Sequence, residues 1–314
     1  MASKLLKLTK FINTSSKKIS KVSIFSASHI IQTRPFSDTP QKVPNTTTSS
    51  VPPFHEKNYS LDGAKKPISS SLNPVELAKF SAIAETWWDP QGPFKPLHIM
   101  NPTRLSFIRS TLCRHFRKNP HSARPFEGLK IIDVGCGGGI LSEPLARMGA
   151  TVTGIDAVDK NIKIARLHAE SDPVTSSIEY CCTTAEKLVE EQRKFDVVIA
   201  LEVIEHVAEP AEFCKSLASL TVPHGATLIS TINRSMRSYA TAIVAAEYLL
   251  QWLPKGTHQW SSFLTPEELV LILNRASISV QEMAGFVYNP LTGRWALSDD
   301  ISVNFIAFST KNSE

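Results

Sequence analysis

Residues 129–139 read Leu-Lys-Ile-Ile-Asp-Val-Gly-Cys-Gly-Gly-Gly. A short apolar run through Ile131, Ile132 and Val134 stops at a cluster of glycines, and a helical pattern follows from Ile140. That order predicts a buried strand, a tight turn and a helix start. Glycine at Gly135, Gly137, Gly138 and Gly139 lets the backbone take positive φ and approach a bound molecule closely. A dinucleotide fingerprint needs Gly-x-Gly-x-x-Gly. Counted from Gly135 the last glycine position holds Ile140, and counted from Gly137 it holds Ser142, so that fingerprint is excluded.

Along the chain on either side of this turn, strand and helix signals alternate. Strands are expected near 130–135, 151–156, 177–182, 195–200 and 226–232, with helices between them, which is the signature of a doubly wound parallel sheet. Two further strands, Ile278–Phe286 and Ser302–Thr310, are expected to be joined by a loop containing Asn289-Pro-Leu-Thr-Gly293. Upstream, Asn73-Pro74 reads as a cap and first turn of a helix running to about Thr86. An apolar loop over 92–102 and a second helix from Thr103 to about Arg117 follow. The run Asp133-Val-Gly-Cys-Gly-Gly-Gly139 resembles the first motif of class I methyltransferases, which bind S-adenosylmethionine. That class also closes its mainly parallel sheet with an antiparallel strand pair.

The formal charge of +5 is unevenly spread. Residues 1–37 hold seven basic side chains and no acid, which leaves 27 basic against 29 acidic ones over 38–314, about −2. The body therefore lacks the basic footprint of a nucleic-acid binder. Residues 1–37 are rich in Ser and Lys, with an amphipathic pattern through Leu5, Leu6, Leu8, Phe11 and Ile12, and read as a mitochondrial transit peptide. Arg34-Pro-Phe-Ser37 resembles a matrix-processing site. Residues 38–72, rich in Ser, Thr and Pro, read as a disordered linker, and 73–314 as the folded domain. No apolar run reaches the ~18 residues of a spanning helix. The five cysteines form no Cys-x-x-Cys pair and are expected to be free thiols.

Ligands of open α/β sheets bind outside the carboxyl ends of the strands. The Gly135 turn falls there, and so does Asp156, twenty-one residues on, placed to accept both ribose hydroxyls. Thr184-Ala-Glu186, after the third strand, is placed to line the adenine. Asp133 is expected to brace the glycine turn, since a buried carboxylate needs partners. After the fourth strand comes Leu201-Glu-Val-Ile-Glu-His206. If this segment turns helical, Glu202, Glu205 and His206 share one face. Three readings stay open there: a divalent-ion site, a metal-free general base at His206, or ordinary solvated side chains. An insertion over 233–263 carries the apolar stretch 239–253 between Arg234, Arg237 and Lys255. It reads as a lid, a membrane-contact helix, or both.

Trp87-Trp88-Asp89, Phe94-Lys-Pro-Leu-His98, Asn101-Pro-Thr-Arg104-Leu, the glycine turn and Glu202-Val-Ile-Glu-His206 together resemble the O-methyltransferases of ubiquinone biosynthesis, over about residues 74–310. Pro254-Lys-Gly-Thr-His258 and Tyr288-Asn-Pro290 fit the same pattern. The resemblance implies that Arg104, Gly135, Asp156 and Leu201 contact S-adenosylmethionine. It also implies that Glu202, Glu205 and His206 hold Mg²⁺, with His206 and Glu202 in catalytic roles. The implied reaction methylates a phenolic hydroxyl of a polyprenylated catechol or hydroquinone. The implied location is the matrix face of the mitochondrial inner membrane, peripherally bound and in a complex with other quinone-biosynthesis proteins. A non-catalytic membrane scaffold, or a methyltransferase of a small soluble phenol, are the competing expectations.

Overall fold

The computed structural model describes residues 71–238 and 262–313, all within one unit, Ala64–Glu314. The transit-peptide reading of 1–37, nearly all of the 38–72 linker and the apolar stretch 239–253 lie outside the described residues.

The strand at the glycine turn, β1 (Lys130–Val134), lies in mid-sheet because both of its faces are apolar. Ile131, Ile132 and Val134 are all buried, which is the pattern of a strand covered on two sides. Each fully buried isoleucine contributes about 1.5–3 kcal/mol of apolar burial. β2 (Thr151–Asp156) and β4 (Phe195–Leu201) flank β1 in parallel. β3 (Glu179–Cys182) lies beyond β2, and β5 (Thr221–Ile232) beyond β4. The remaining strands, β6 (Ile278–Asn289), β7 (Arg294–Ser298) and β8 (Asn304–Lys311), complete an eight-stranded sheet in the order β3-β2-β1-β4-β5-β8-β6-β7. β8 runs antiparallel to both β5 and β6. The expected terminal pair is therefore β6 and β8. The loop containing Asn289 is instead the turn of a further hairpin, β6–β7, which sequence reading missed.

Helix α1 (Pro74–Ile83) starts as its sequence requires: the Asn73 side chain accepts from Val75 N at 3.1 Å. Helix α2 runs Lys95–His115, eight residues earlier than the expected start at Thr103. Two prolines hid its beginning. Pro96 occupies the first turn, where no backbone donor is needed. Pro102 lies inside the helix, at the cost of one backbone hydrogen bond. After β1 come α3 (Ser142–Arg147), α4 (Asp159–Ala169), α5 (Ala185–Glu190) and α6 (Pro210–Leu220). Helix α7 (Pro266–Arg275) begins at a capping box between Thr265 and Glu268, a reciprocal pair that satisfies two otherwise orphaned donors. Among the described residues, no helix is long and apolar enough to cross a membrane.

Candidate active site

The glycine turn follows β1 at the sheet's carboxyl edge, and its shape depends on two positions. Gly135 has φ +73°, and a Cβ there would stand 2.5 Å from Val203 Cγ2. Gly137 has φ +54°, and a Cβ there would overlap the Trp87 ring. Neither position admits another residue without strain. Asp133, expected to brace the turn, is buried in β1 and meets the following helix instead: Ser142 Oγ of α3 donates to its Oδ2 at 2.6 Å. Burial pushes the Asp133 carboxyl up to about 6.

Asp156 ends β2, and its carboxylate is already heavily used. Oδ1 accepts from Val158 N at 2.8 Å and from Asn161 Nδ2 at 3.2 Å, and Oδ2 accepts from Gly137 N at 3.0 Å. A carboxylate has about four acceptor positions, so the open one belongs to Oδ2. As it stands, Asp156 has room for one hydroxyl rather than the expected two.

Arg104 lies on α2 and is only 5% exposed. Its Nη2 is 3.2 Å from Glu202 Oε1, an ion-pair distance. Nonetheless its Nε and Nη2 make no hydrogen bond of acceptable geometry. Buried guanidinium donors without partners are costly. Such a group fits an incoming carboxylate, which it can bind through two parallel bonds. The glycine cradle, the open Asp156 oxygen and this guanidinium together suit the sugar and amino-acid parts of S-adenosylmethionine. Leu201 closes β4 beside them, half-buried against the core.

The helical face expected over Glu202–His206 does not form. Glu202 has φ +57°, a left-handed conformation unsuited to a helix interior, and only Ile204–His206 make a short 3₁₀ turn. The three side chains are therefore tied to different partners. Ser230 Oγ donates to Glu202 Oε1 at 2.6 Å, and Thr231 Oγ1 donates to Glu205 Oε2 at 3.0 Å. His206 Nδ1 sits 2.8 Å from Glu76 Oε2 of α1. Among the described residues, no three His, Cys, Asp or Glu side chains converge to hold an ion. With Arg104 on one candidate ligand and Glu76 on another, the residues as placed do not fit Mg²⁺.

Glu205 is buried, and that burial, reinforced by repulsion from Glu202, raises its pKa well above the ordinary 4.5. A carboxyl with a raised folded pKa favours folding only while protonated. Its penalty is absent below about pH 4.5 and grows as pH rises through the raised value. Glu205→Gln, which keeps an acceptor for Thr231, is accordingly expected to stabilise the protein at pH 8 by about 1–3 kcal/mol and to do little at pH 4.5. Urea melts at both pH values measure this. A mutant that is less stable at pH 8 contradicts it.

For His206, burial works against the charged form. The Glu76 contact and the fields of Glu205 and Glu76 outweigh it, so the pKa is raised overall. Glu76, held by His206 and Lys79, falls to about 2 despite its burial. Phe80, on the same helix, packs edge-on to the imidazole at 5.1 Å.

Four residues were not found from sequence. Glu76 and Asn161 carry no local motif, and one partner of each, His206 and Trp87, lies 130 and 74 residues away in the chain. Trp87 belongs to a recognisable run, but its role over Gly137 and Gly138 appears only in three dimensions. Thr183, after β3, keeps a buried hydroxyl without a partner. Its neighbours Thr184 and Glu186, expected to line the adenine, are used elsewhere. Thr184 caps α5 by accepting from Lys187 N, and Glu186 accepts from Ser71 N at 3.2 Å.

Residues 105–282 match the family model described as a methyltransferase domain. The mitochondrial ubiquinone biosynthesis O-methyltransferase of Arabidopsis thaliana is 65% identical over 306 residues, covering 96% of this chain and 94% of that protein. The ubiquinone biosynthesis O-methyltransferase of Parvibaculum lavamentivorans is 48% identical over 250 residues, 80% of this chain and 98% of that protein. Among solved structures, magnesium protoporphyrin IX methyltransferase from Synechocystis, with bound SAH, superposes with a TM-score of 0.53 at 19% identity. It covers 75% of this chain and 95% of its own, a likeness of fold.

Proposed function

The chain belongs to the ubiquinone biosynthesis O-methyltransferases, and from that premise we propose how its site works and on what. It is an S-adenosylmethionine-dependent O-methyltransferase of ubiquinone biosynthesis, a mitochondrial enzyme acting on a polyprenylated phenol. Our finer reading is a catechol or hydroquinone substrate, met at the matrix face of the inner membrane beside other quinone-biosynthesis proteins. A transit peptide over 1–37 would deliver it there. The observation that carries the site reading is the buried Arg104 guanidinium, paired with Glu202 yet with two of its nitrogens short of hydrogen-bond partners.

When bound, S-adenosylmethionine supplies a sulfonium-activated methyl group whose S–C bond breaks as the substrate oxygen forms the new O–C bond. Arg104 holds the amino-acid carboxylate and Asp156 Oδ2 a ribose hydroxyl. Gly135 and Leu201 give the close backbone approach and an apolar wall. His206 takes the phenolic proton at the ring nitrogen not committed to Glu76. Glu202 steers Arg104 through its ion pair and exchanges no proton with the substrate. Alignment of the two reacting atoms supplies much of the acceleration in such a displacement.

The reaction is tested by methyl transfer to a short-tailed prenyl catechol and to its tailless counterpart, using the full chain. Methylation of both, with a lower KM for the tailed one, is expected. No product from either, with S-adenosylhomocysteine still bound, would make the protein a scaffold. A tailless substrate preferred over the tailed one would make it an enzyme of a soluble phenol.

Mg²⁺ at Glu202, Glu205 and His206 requires each side chain to release Ser230, Thr231 or Glu76. The ion reading therefore expects a saturable calorimetric titration with Mg²⁺ that disappears in Glu205→Gln, and turnover that falls in EDTA. A flat titration with full turnover in EDTA would leave His206 as a base that needs no metal.

A further inference from the structure

Asn161 is the third residue of α4 and is 2% exposed, which is unusual for a polar side chain unless it is fully bonded. Its two partners settle its orientation. Trp87 Nε1–H can only donate, and it lies 2.9 Å from Asn161 Oδ1. The Asp156 carboxylate, when ionised, can only accept, and its Oδ1 lies 3.2 Å from Asn161 Nδ2. An amide between one obligate donor and one obligate acceptor has a single satisfactory orientation.

Trp87 is itself held firmly. Its ring stacks on Phe94 at 3.6 Å with 5° between planes, and its backbone O meets His98 Nε2 at 2.8 Å. It also lies against the glycine turn so closely that a Cβ on Gly138 would approach its Cβ to 2.5 Å. The neighbouring Trp88 Nε1 donates to Gly138 O at 2.8 Å. The Trp87–Trp88 segment is thus anchored to the turn at several points, and Asn161 carries that anchoring to Asp156.

We propose that Trp87 and Asn161 act in series as positioning residues for the cofactor's ribose, fixing the Asp156 carboxylate so that its open acceptor position, on Oδ2, always faces the same way. The inference rests on the reading that Asp156 receives a ribose hydroxyl. With Val158 N and Asn161 Nδ2 both on Oδ1 and Gly137 N on Oδ2, Oδ1 is saturated and the carboxylate cannot rotate without breaking three bonds. The same donation favours the ionised form against the burial that raises Asp156's pKa. A carboxylate already held in place loses less freedom on binding, which is the usual source of affinity from pre-organisation.

The experiment compares the affinity of the full chain for S-adenosylhomocysteine with that for an analogue lacking both ribose hydroxyls, by calorimetry. Wild type is expected to prefer the natural ligand. Asn161→Ala is expected to weaken that ligand on the order of tenfold while barely changing the analogue, the size of one charge-assisted hydrogen bond. Trp87→Phe keeps the stack on Phe94 but loses the N–H, so it moves the preference in the same direction even if Asn161→Ala does not fold. Because the two act in series, the double variant is expected to be no worse than Asn161→Ala alone. Equal weakening of both ligands by Asn161→Ala or by Trp87→Phe, or additive losses in the double variant, would overturn the proposal. Asp156→Ala separates the premise: if it keeps the full ribose preference, Asp156 does not receive the ribose, and the inference falls with that reading.

Discussion

His206→Asn is expected to lower kcat by about 10²–10⁴-fold, the range for losing a positioned general base, and to leave S-adenosylhomocysteine affinity unchanged. The imidazole packs at right angles to the Phe80 ring and meets Glu76 at its Nδ1. That leaves one nitrogen to take a proton in a fixed place. Only neutral imidazole can act as a base, and the pKa of His206 is raised above its ordinary 6.5. The wild-type rate should therefore climb with pH on a limb centred above 6.5. Glu76→Gln removes the charge that raises that pKa, so its limb moves to lower pH. Its kcat falls less than in His206→Asn, because an amide oxygen still accepts from Nδ1–H. Rates from pH 5 to 9 for the three proteins decide the matter. A His206→Asn enzyme within tenfold of wild type, or a Glu76→Gln limb at higher pH, would refute the assignment.

The same pair also ties stability to pH. Glu76 has a folded pKa of about 2 against 4.5 unfolded, so its contribution is present above pH 4.5 and fades as pH falls toward 2. His206 has a raised folded pKa, so its contribution is full below 6.5 and is lost as pH rises through the raised value. The pair supports α1 most strongly between those limits. Loss of α1 at high pH would then remove the partner that orients the base.

What could be read from the sequence was local or periodic. The β1–glycine turn and Asp156 at the next strand end follow from a buried strand meeting glycines, and the structure places them so, whereas Asp133 bonds Ser142 of the next helix rather than the turn. The parallel order came from alternating periods, and the antiparallel closure from two apolar runs near the end. What could not be read was decided by distant partners. Glu76 meets His206 across 130 positions, and nothing around Pro74 announces it. Pro96 and Pro102 hide the start of α2 because they are breakers in the abstract, yet one lies where no donor is needed and the other is carried by a 21-residue helix. The face expected for Glu202, Glu205 and His206 assumed helical spacing, and the left-handed Glu202 removed it. Periodicity cannot show such a residue, because it depends on one backbone angle at a strand end. Glu202 N is held there by Ser230 O at 3.1 Å.

Arg104→Leu is expected to raise KM for S-adenosylmethionine by about 10²–10³-fold, the cost of leaving a buried carboxylate unpaired. The side chain is one of the few buried charges in the domain, and two of its nitrogens make no hydrogen bond within the protein. Burying a guanidinium in this state is expensive, a cost that an arriving ligand carboxylate would offset. A purely structural arginine would show the opposite pattern: satisfied donors, and a mutant that loses stability without losing selectivity among ligands. The discriminating ligand is 5′-methylthioadenosine, which keeps the nucleoside but has no amino-acid end. Its affinity should be the same in Arg104→Leu as in wild type within roughly twofold, since the interaction removed is one it never made. Arg104→Lys should recover only a small part, because a single ammonium cannot reproduce the two-point fork. Equal losses for S-adenosylmethionine and 5′-methylthioadenosine would mean that Arg104 shapes the pocket through Glu202 rather than binding the carboxylate. The role of α2 at this site would then be to hold β4 in place and not to contact the cofactor.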